Sequence, residues 1–285
     1  DIRAVGPGVW NGWKGQLIRT LYHETEPLVA GGHTQIERRH RLADAKEQLA
    51  LALSDWPRAE VEHFIDRHYP DYWLRTETAK QASHARLVRR AEHENRKLIT
   101  DAVTDTFTAI TELTVFAPNH PRLLALFAGA CAANGANIVG AHITTTRDGF
   151  ALDTFLLARE FPEDEDEMRR AKRIEATIDR LLRGEARLKQ LLEKRTIGAQ
   201  RLEAFTVSPE VIINNQLSER FTVIEVAGRD RTGLLYDLTS TLSDLSLDIA
   251  SAHITTFGEK AVDVFYVTDL TGKKVDSENR QKTIA

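Results

Sequence analysis

The sequence VIEVAGRDRTGLLYDLTSTLSDLSLDIASAHITT, at residues 223–256, decides the fold expected for this chain. Its alternating β-branched residues, glycine-containing loop and amphipathic run predict a strand, a tight loop, a helix and a second strand. A weaker copy, LTVFAPNHPRLLALFAGACAANGANIVGAHITTT, occupies residues 113–146. Both copies end in AHITT, and a shift of 111 residues places His142 on His253. We therefore interpret the chain as two copies of one domain behind a helical segment.

The repetition continues beyond these two stretches. After a one-residue gap, Asp153 and Phe155 match Asp263 and Phe265, in alternating runs that predict another strand in each copy. The turn before that strand is an Asp-Gly dipeptide in the first copy, and such dipeptides favour hairpins. Each copy is therefore expected to order its elements βαββαβ.

Three regions follow from this reading. Residues 1–105 are predicted to be all-helical, residues 106–215 to form the first domain, and residues 220–285 to form an incomplete second domain. The run EAFTVSPEVIINN at 203–215 is predicted to be a strand that returns to the first sheet. Because no comparable run follows the second copy, we expect that copy to lack its last strand and to leave one sheet edge bare.

Composition excludes several classes of protein. The hydrophobic fraction of 42% and charged fraction of 28% are ordinary for a globular protein, and the net charge of −4 disfavours a nucleic-acid surface. No signal peptide or long apolar run is present, so we expect no membrane partner and a cytoplasmic location. The single cysteine, Cys131, lies in a run of small residues and is predicted to be a buried structural thiol.

Histidines are frequent in the first hundred residues, but their pattern does not indicate a metal site. A metal site needs ligands that converge from one face, and neither an HExxH motif nor an adjacent His-Asp pair is present. We therefore predict no metal-binding residues. These histidines include His33, His40, His63, His68, His84 and His93.

The predicted βαββαβ order suggests an α+β fold, with two ferredoxin-like sandwiches, the second truncated, behind an all-helical segment. With the loop DRTGLL at 230–235 between the first strand and helix of the second copy, the pattern resembles the ACT domain, a module that usually binds amino acids. Four strings have a closer resemblance, to the C-terminal part of the bifunctional uridylyltransferase/uridylyl-removing enzymes. These strings are DIRAVGPGVWNGWKGQL at 1–17, IEVAGRDRTGLLYDLT at 224–239, ASAHITT at 250–256 and VDVFYVTDLTGKKV at 262–275.

That resemblance carries specific implications. Enzymes of this family contain a nucleotidyltransferase domain, an HD-type hydrolase domain and two ACT domains, and they attach UMP to and remove it from the nitrogen regulatory protein PII. This chain would then be a fragment, with the end of the HD domain and a connector at 1–105. The resemblance implies glutamine as allosteric effector, PII and UTP as substrates of the whole enzyme, and Mg²⁺ as its cofactor. We find no catalytic motif within this chain, so its predicted catalytic set is empty.

The resemblance to ACT domains also implies a ligand site where the loop of one copy meets a strand of the other. The mouth of the first helix offers free backbone N–H groups to a carboxylate, and Gly233 permits close approach of the backbone. Asp230 could accept from an ammonium group or order the loop. The predicted ligand-binding residues are Asp230, Arg231, Thr232, Gly233, Leu234, Leu235, Asp248 and Ile249, with Asn119, His120, Leu123, Leu124, Asn137 and Ile138.

Two departures and several alternatives remain open. Thr232 stands where proline is common in such loops, and the first loop reads Asn119-His-Pro-Arg122, without the Asp and Gly. Asp230 and Asn119 could be helix caps only. His142 and His253 are predicted to be packed structural residues. The chain could instead be a non-catalytic tandem-ACT sensor of another amino acid, or a dimerisation module.

Overall fold

The computed structural model describes residues 35–193 and 208–285, with side chains from residue 39 onward. The opening string at 1–17 and the start of the 203–215 run lie outside the described residues. The described strands form one antiparallel sheet in the order β1-β2-β4-β3-β7-β8-β6-β5. They are β1 Ile99–Asp105, β2 Ile110–Pro118, β3 Ile138–His142, β4 Phe150–Ala158, β5 Glu210–Asn214, β6 Thr222–Arg229, β7 Leu247–Phe257 and β8 Lys260–Asp269.

The helices of the described residues fall into two groups, one before the first strand and one after it. The first group is α1 Gln35–Ala52, α2 Arg58–Asp66, α3 Pro70–Arg75 and α4 Thr78–His93. The second group is α5 Leu123–Ala133, α6 Asp164–Leu182, α7 Leu188–Glu193, α8 Leu234–Asp244 and α9 Glu278–Ile284. The break between α6 and α7 occurs at Gly184, where φ is +71°.

Each repeat is a four-stranded unit with helices on one face, so the predicted α+β class and its two ferredoxin-like units are confirmed. Helices α5 and α8 follow the loops of the two repeats and pack against each other over the middle of the sheet. One core joins them to the strands beneath, with Phe127 of α5, Phe155 of β4 and Phe265 of β8 fully buried. Because the core is continuous, the two units form a single layered body.

The two units join edge to edge through β3 and β7, which pair antiparallel. Gly140 pairs with Thr255, Ala141 with Ile254, and His142 with His253. His142 and His253 are equivalent positions in the two repeats, so the junction is self-complementary in the manner of a symmetric dimer interface. An approximate twofold axis therefore passes beside this histidine pair and relates the two loops.

The first group of helices covers the opposite face of the first unit. A second core there contains Trp73 and Leu87 from the helices and Phe116 and Leu152 from the strands. His84 Nε2 lies 3.2 Å from Thr154 Oγ1 of β4, which adds a polar contact across this layer. The helical segment is therefore packed against the sheet and is in contact with it over an apolar surface.

The prediction that residues 1–105 are all-helical is wrong at its end, because Ile99–Asp105 is a strand. This strand pairs with β2 through a short turn in which Asp105 accepts hydrogen bonds from the Phe107 N–H, at 2.8 Å, and from the Thr108 hydroxyl, at 2.9 Å. Its residues are mostly polar because it is an edge strand with a single covered face. In the sequence it therefore resembles a continuation of the polar helix before it.

The partner predicted for the 203–215 run is also wrong. Glu210–Asn214 is a strand, but it pairs with β6 of the second unit rather than returning to the first. The edge expected to be bare is therefore covered, and each unit begins with its edge strand, in the order ββαββα. A short connection leads from β5 into β6, and consecutive strands joined this way usually pair. The corresponding place in the first sheet is already held by β1.

Candidate functional site

The two loops that precede α5 and α8 have the same backbone course. The Leu234 N–H donates to the Arg231 carbonyl at 3.0 Å, and the Leu123 N–H donates to the His120 carbonyl at 3.1 Å. The N-cap residues are Gly233, with φ +89°, and Arg122, with φ +71°. Asp230 and Asn119 are thus not the N-cap residues, which removes the capping alternative. Arg122 holds a left-handed conformation that glycine adopts more easily.

One pocket, here called pocket A, lies under the second loop and has a volume of about 320 Å³ including the part open to solvent. The Asn137 side-chain amide of the first repeat donates to Asp230 Oδ2 at 3.0 Å and so connects the two repeats across it. Only about one water molecule fits in the enclosed space. An amino acid must therefore separate this pair to bind. Its lining is Ala128, Ala136, Asn137, Ile138, Asp230, Arg231, Gly233, Leu234, Leu235, Tyr236, Ile254, Thr256, Ala261 and Asp263.

The equivalent space under the first loop, here called pocket B, has a volume of about 420 Å³ on the same basis. The roles of the two repeats are exchanged, since the loop now provides Asn119 and the opposite strand provides Asp248. The lining of each pocket therefore includes an asparagine from one repeat and an aspartate from the other. The lining of pocket B is Asn119, His120, Arg122, Leu124, Ala125, Ile143, Thr145, Ala151, Asp153, Ser243, Leu247, Asp248 and Ile249.

The structure places most of the predicted site residues in these two pockets, while ligand binding by them stays a prediction. Thr232 and Leu123 do not line either pocket. Thr232 is exposed at the outer end of its loop, whereas Leu123 is 2% exposed and belongs to the core. The remaining twelve residues divide between pocket A, with seven, and pocket B, with five.

Two buried carboxylates that were not among the predicted site residues also line the pockets, Asp153 in pocket B and Asp263 in pocket A. Burial raises the pKa of each carboxyl group to about 7. A hydrogen bond from a backbone N–H opposes the rise in both, from Thr144 at Asp153 and from Thr255 at Asp263. The nearby charge of Asp230 raises the pKa of Asp263 further. The signal that could have found them was present, since both recur at matching positions in otherwise apolar strands. Paired buried acids in two pockets are candidates for a functional role.

Asp230 itself is tied into its loop. Its backbone N–H donates to the Glu259 carbonyl at 2.8 Å. Burial raises the pKa of its carboxyl group, and the hydrogen bonds that this group accepts from Asn137 and the Arg231 N–H partly offset the rise. In the first repeat the Asn119 N–H donates to the Gly149 carbonyl at 2.9 Å. Both loops are therefore anchored to the hairpin that joins the last two strands of their own unit.

The two junction histidines do not line either pocket. The rings of His142 and His253 lie 6.2 Å apart at 78°, and Arg75 of α3 donates to His253 Nε2. Desolvation lowers the pKa of both, that of His253 to about 3, so both rings are neutral; His253 is half-buried, whereas His142 is exposed at the surface and is not a packed residue as predicted. Cys131 is fully buried, and burial raises its thiol pKa to about 12, which confirms the predicted structural thiol.

Comparison with known families identifies the two units. The ACT domain profile matches residues 111–177, and that of the ACR family N-terminal ACT domain matches residues 217–284. The chain contains two ACT domains. Pockets A and B therefore lie at the junction of an ACT pair, where the loop of each domain faces the first strand after the helix of the other.

The whole chain also aligns with part of longer proteins. It is 53% identical over 284 residues to the bifunctional uridylyltransferase/uridylyl-removing enzymes of Bradyrhizobium sp. strains ORS 278 and BTAi1 / ATCC BAA-1182, and 52% identical to that of Nitrobacter hamburgensis. In each case the match covers all of this chain and 30% of the relative. The crystal structure of aspartate kinase from Synechocystis aligns at a TM-score of 0.31 and 12% identity, over 62% of this chain and 26% of that one. This similarity is too low to bear on the fold.

Residues 35–193 and 208–285 contain neither a cluster of metal-ligating side chains nor a helix that could span a membrane. In these ranges no three His, Cys, Asp or Glu side chains converge to hold a metal ion. No helix between residues 35 and 193 or after residue 207 is both long and apolar enough to cross a membrane.

Proposed function

We propose that this chain is the glutamine-sensing region of a protein that attaches uridylyl groups to PII and removes them. The observation that carries this proposal is the pair of pockets at the junction of the ACT domains, each built from both domains. Its wider context is the 53% identity to enzymes named for uridylyl transfer and removal. A ligand bound at such a junction would be sensed by both domains at once.

The chemistry of pocket A suits a free amino acid. At its mouth, the first turn of α8 presents backbone N–H groups and the positive end of the helix dipole to an α-carboxylate. Gly233 borders this mouth, and a side chain there would reduce the approach of a ligand. At the other side of the pocket, Asp230 and Asp263 provide negative charge for an ammonium group.

The same charges favour glutamine over glutamate. Two carboxylates line pocket A, and Arg231 is already paired with Asp237 at the exposed rim. A second ligand carboxylate would be repelled, whereas a neutral amide can both donate and accept hydrogen bonds. The Asn137 amide, once released from Asp230, provides a partner for the ligand amide.

Ligand occupancy can reach the helical segment through contacts that begin at the loops. Arg67, the C-cap residue of α2, pairs with Asp148 at 2.6 Å, and its guanidinium lies 5.4 Å from the rings of Phe116 and Phe150. The next residue after Asp148 accepts the hydrogen bond from the N–H of Asn119 in pocket B. A movement of that loop would therefore move the hairpin whose Asp148 pairs with Arg67. Allostery requires that glutamine bind the two arrangements with different affinity.

The substrates and cofactor of the whole protein stay proposals of the same kind. PII as the modified protein and UTP as the uridylyl donor follow from the resemblance alone. Mg²⁺ would stabilise charge on the transferring phosphoryl group. The described residues do not provide a carboxylate cluster for it, so no step through Mg²⁺ is assigned to them.

Titration calorimetry on this chain tests the binding half of the proposal. Glutamine at millimolar concentration is expected to give saturable heat, with glutamate and asparagine binding at least about tenfold more weakly, a difference of about 1.4 kcal/mol. Asp230→Ala should weaken the response because it removes the partner of Asn137 and opens the loop. Binding of a different amino acid in its place would support the alternative tandem-ACT sensor.

Absence of heat with every amino acid would refute the sensing proposal. Sedimentation of the same samples then measures whether the chain dimerises, which is the remaining alternative. Hydrogen exchange adds a test of the coupling half. Glutamine should increase protection of the loop amides and of the hairpin around Asp148, whereas protection confined to the loops would contradict transmission to the helical segment.

A further inference from the structure

Pocket A contains two buried polar atoms without hydrogen-bond partners in the described structure. They are Oδ1 of Asp263 on β8 and Oγ1 of Thr256 on β7. Asp263 is 1% exposed, so its carboxyl group is withdrawn from water. Leaving such an atom unpaired costs roughly 1–3 kcal/mol, and more for a charged group. Natural proteins retain few such atoms, and each needs an explanation.

The two atoms lie on adjacent strands and on one face of the sheet. Asp263 pairs directly with Ile254, and Thr256 is two residues further along the same strand, so all three side chains face the helices. Both polar residues line pocket A at the sheet side, opposite the first turn of α8. They thus form the floor of the pocket, while the helix N-terminus forms its mouth.

The charges around this floor are predominantly negative. Asp230 faces Asp263 from the loop above and contributes to raising its pKa to about 7. The cation of the loop, Arg231, is paired with Asp237 of α8 at the exposed rim. From α5 the lining residue is Ala128, and from α8 it includes Tyr236. Pocket A therefore has a negative floor and a positive mouth.

From this geometry we infer that Asp263 and Thr256 bind the α-ammonium group of the amino acid in pocket A. The ligand then lies with its α-carboxylate at the first turn of α8 and its ammonium group at the floor. This inference rests on the proposed sensing function and adds the orientation of the ligand. It also assigns Asp230 to ordering the loop, because its carboxylate accepts from the Arg231 N–H of the same loop.

Pocket B supplies a matched control. Asp153 occupies the equivalent floor position and is also buried, at 2% exposure. Its Oδ1 accepts the Thr144 N–H at 3.2 Å, and neither Asp153 nor Thr145 contributes an unpartnered buried atom among the described residues. Asp263 accepts the equivalent N–H, that of Thr255, so the difference between the two pockets is that pocket A alone holds buried acceptors without a partner among the described residues.

The experiment compares Asp263→Asn with Asp153→Asn in glutamine titrations of this chain. Both substitutions keep the shape of the side chain and remove its negative charge. Asp263→Asn is expected to weaken glutamine binding by about 10- to 100-fold, in the range of a lost charge-assisted hydrogen bond. Asp153→Asn should leave the affinity of pocket A within about twofold. Thr256→Val, which removes only the hydroxyl, should weaken binding about threefold or more.

A deaminated analogue, 4-carbamoylbutanoate, distinguishes the ammonium group from the side-chain amide. It retains the amide and a carboxylate, so Asp263→Asn should not weaken its binding if Asp263 recognises the ammonium group. Titration in two buffers of different ionisation enthalpy gives a second readout. Wild-type protein at pH 7 should release a proton on binding glutamine, because a bound ammonium group favours ionised Asp263, and Asp263→Asn should lose this release.

The outcomes separate the two proposals. If wild-type protein binds glutamine and both Asp263→Asn and Thr256→Val bind it equally well, the assigned orientation is overturned while the sensing function stands. If Asp263→Asn weakens the analogue as much as glutamine, the floor recognises the amide and the inference is likewise overturned. If wild-type protein binds no amino acid, both proposals fail. Circular dichroism identifies a variant that does not fold, and Thr256→Val then decides the question.

Discussion

Replacing Asp153 by asparagine should make the protein more stable at pH 8 than the wild type, although the side chain is buried in a well-formed core. Burial raises the pKa of this carboxyl from 3.8 to about 7. Between these two pH values the folded protein holds a proton that the unfolded chain has lost, so stability falls as the pH rises. About three pKa units at 1.36 kcal/mol each correspond to a loss of about 4 kcal/mol by pH 8. Asparagine does not ionise and avoids this loss.

Urea unfolding at pH 4 and at pH 8 measures the effect. The change in unfolding free energy caused by Asp153→Asn should shift toward stabilisation by up to about 4 kcal/mol between the two pH values. At pH 4 the folded protein has a neutral side chain at position 153 in both the wild type and the variant. The difference in unfolding free energy that remains there measures how well the asparagine amide replaces the protonated carboxyl group. Asp248→Asn serves as the control, because it makes the same substitution at an exposed position. An effect of Asp153→Asn that is the same at both pH values would refute the reasoning.

Three further substitutions test the packing, each by urea unfolding. Arg67→Met should cost about 1 kcal/mol, because it removes ion pairs to two carboxylates that are themselves partly exposed and can return to water; no measurable loss of stability would mean that the pairs contribute nothing. Arg122→Gly should stabilise the fold by up to about 1 kcal/mol, since its φ of +71° suits glycine, and destabilisation would show that the side chain matters more than the backbone. Gly129→Val should cost about 1–3 kcal/mol, because an added Cβ would lie 2.9 Å from atoms of Leu188 and Tyr236. Unchanged stability would show that these two side chains move aside at little cost in free energy.

The local elements and the duplication could be predicted from the sequence, because both depend on short-range patterns. The alternating runs around Asp153 and Asp263 are strands, the LLYDL stretch opens a helix, and Gly184 breaks the long helix. The loop residues of the candidate site were recognisable for the same reason. A strand, a helix start and a turn are each specified by neighbours within a few residues.

Strand partners and burial depended on the tertiary structure. The polar segment at 99–105 becomes a strand only because β2 presents an edge to it, and the strand at 210–214 pairs with the nearer of two possible partners. Likewise, Asp153 and Asp263 differ from ordinary strand aspartates only because helices cover them. Periodicity in the sequence shows which residues share a face. Which surface covers that face depends on contacts between distant residues, and those contacts set the charge and geometry of the pockets.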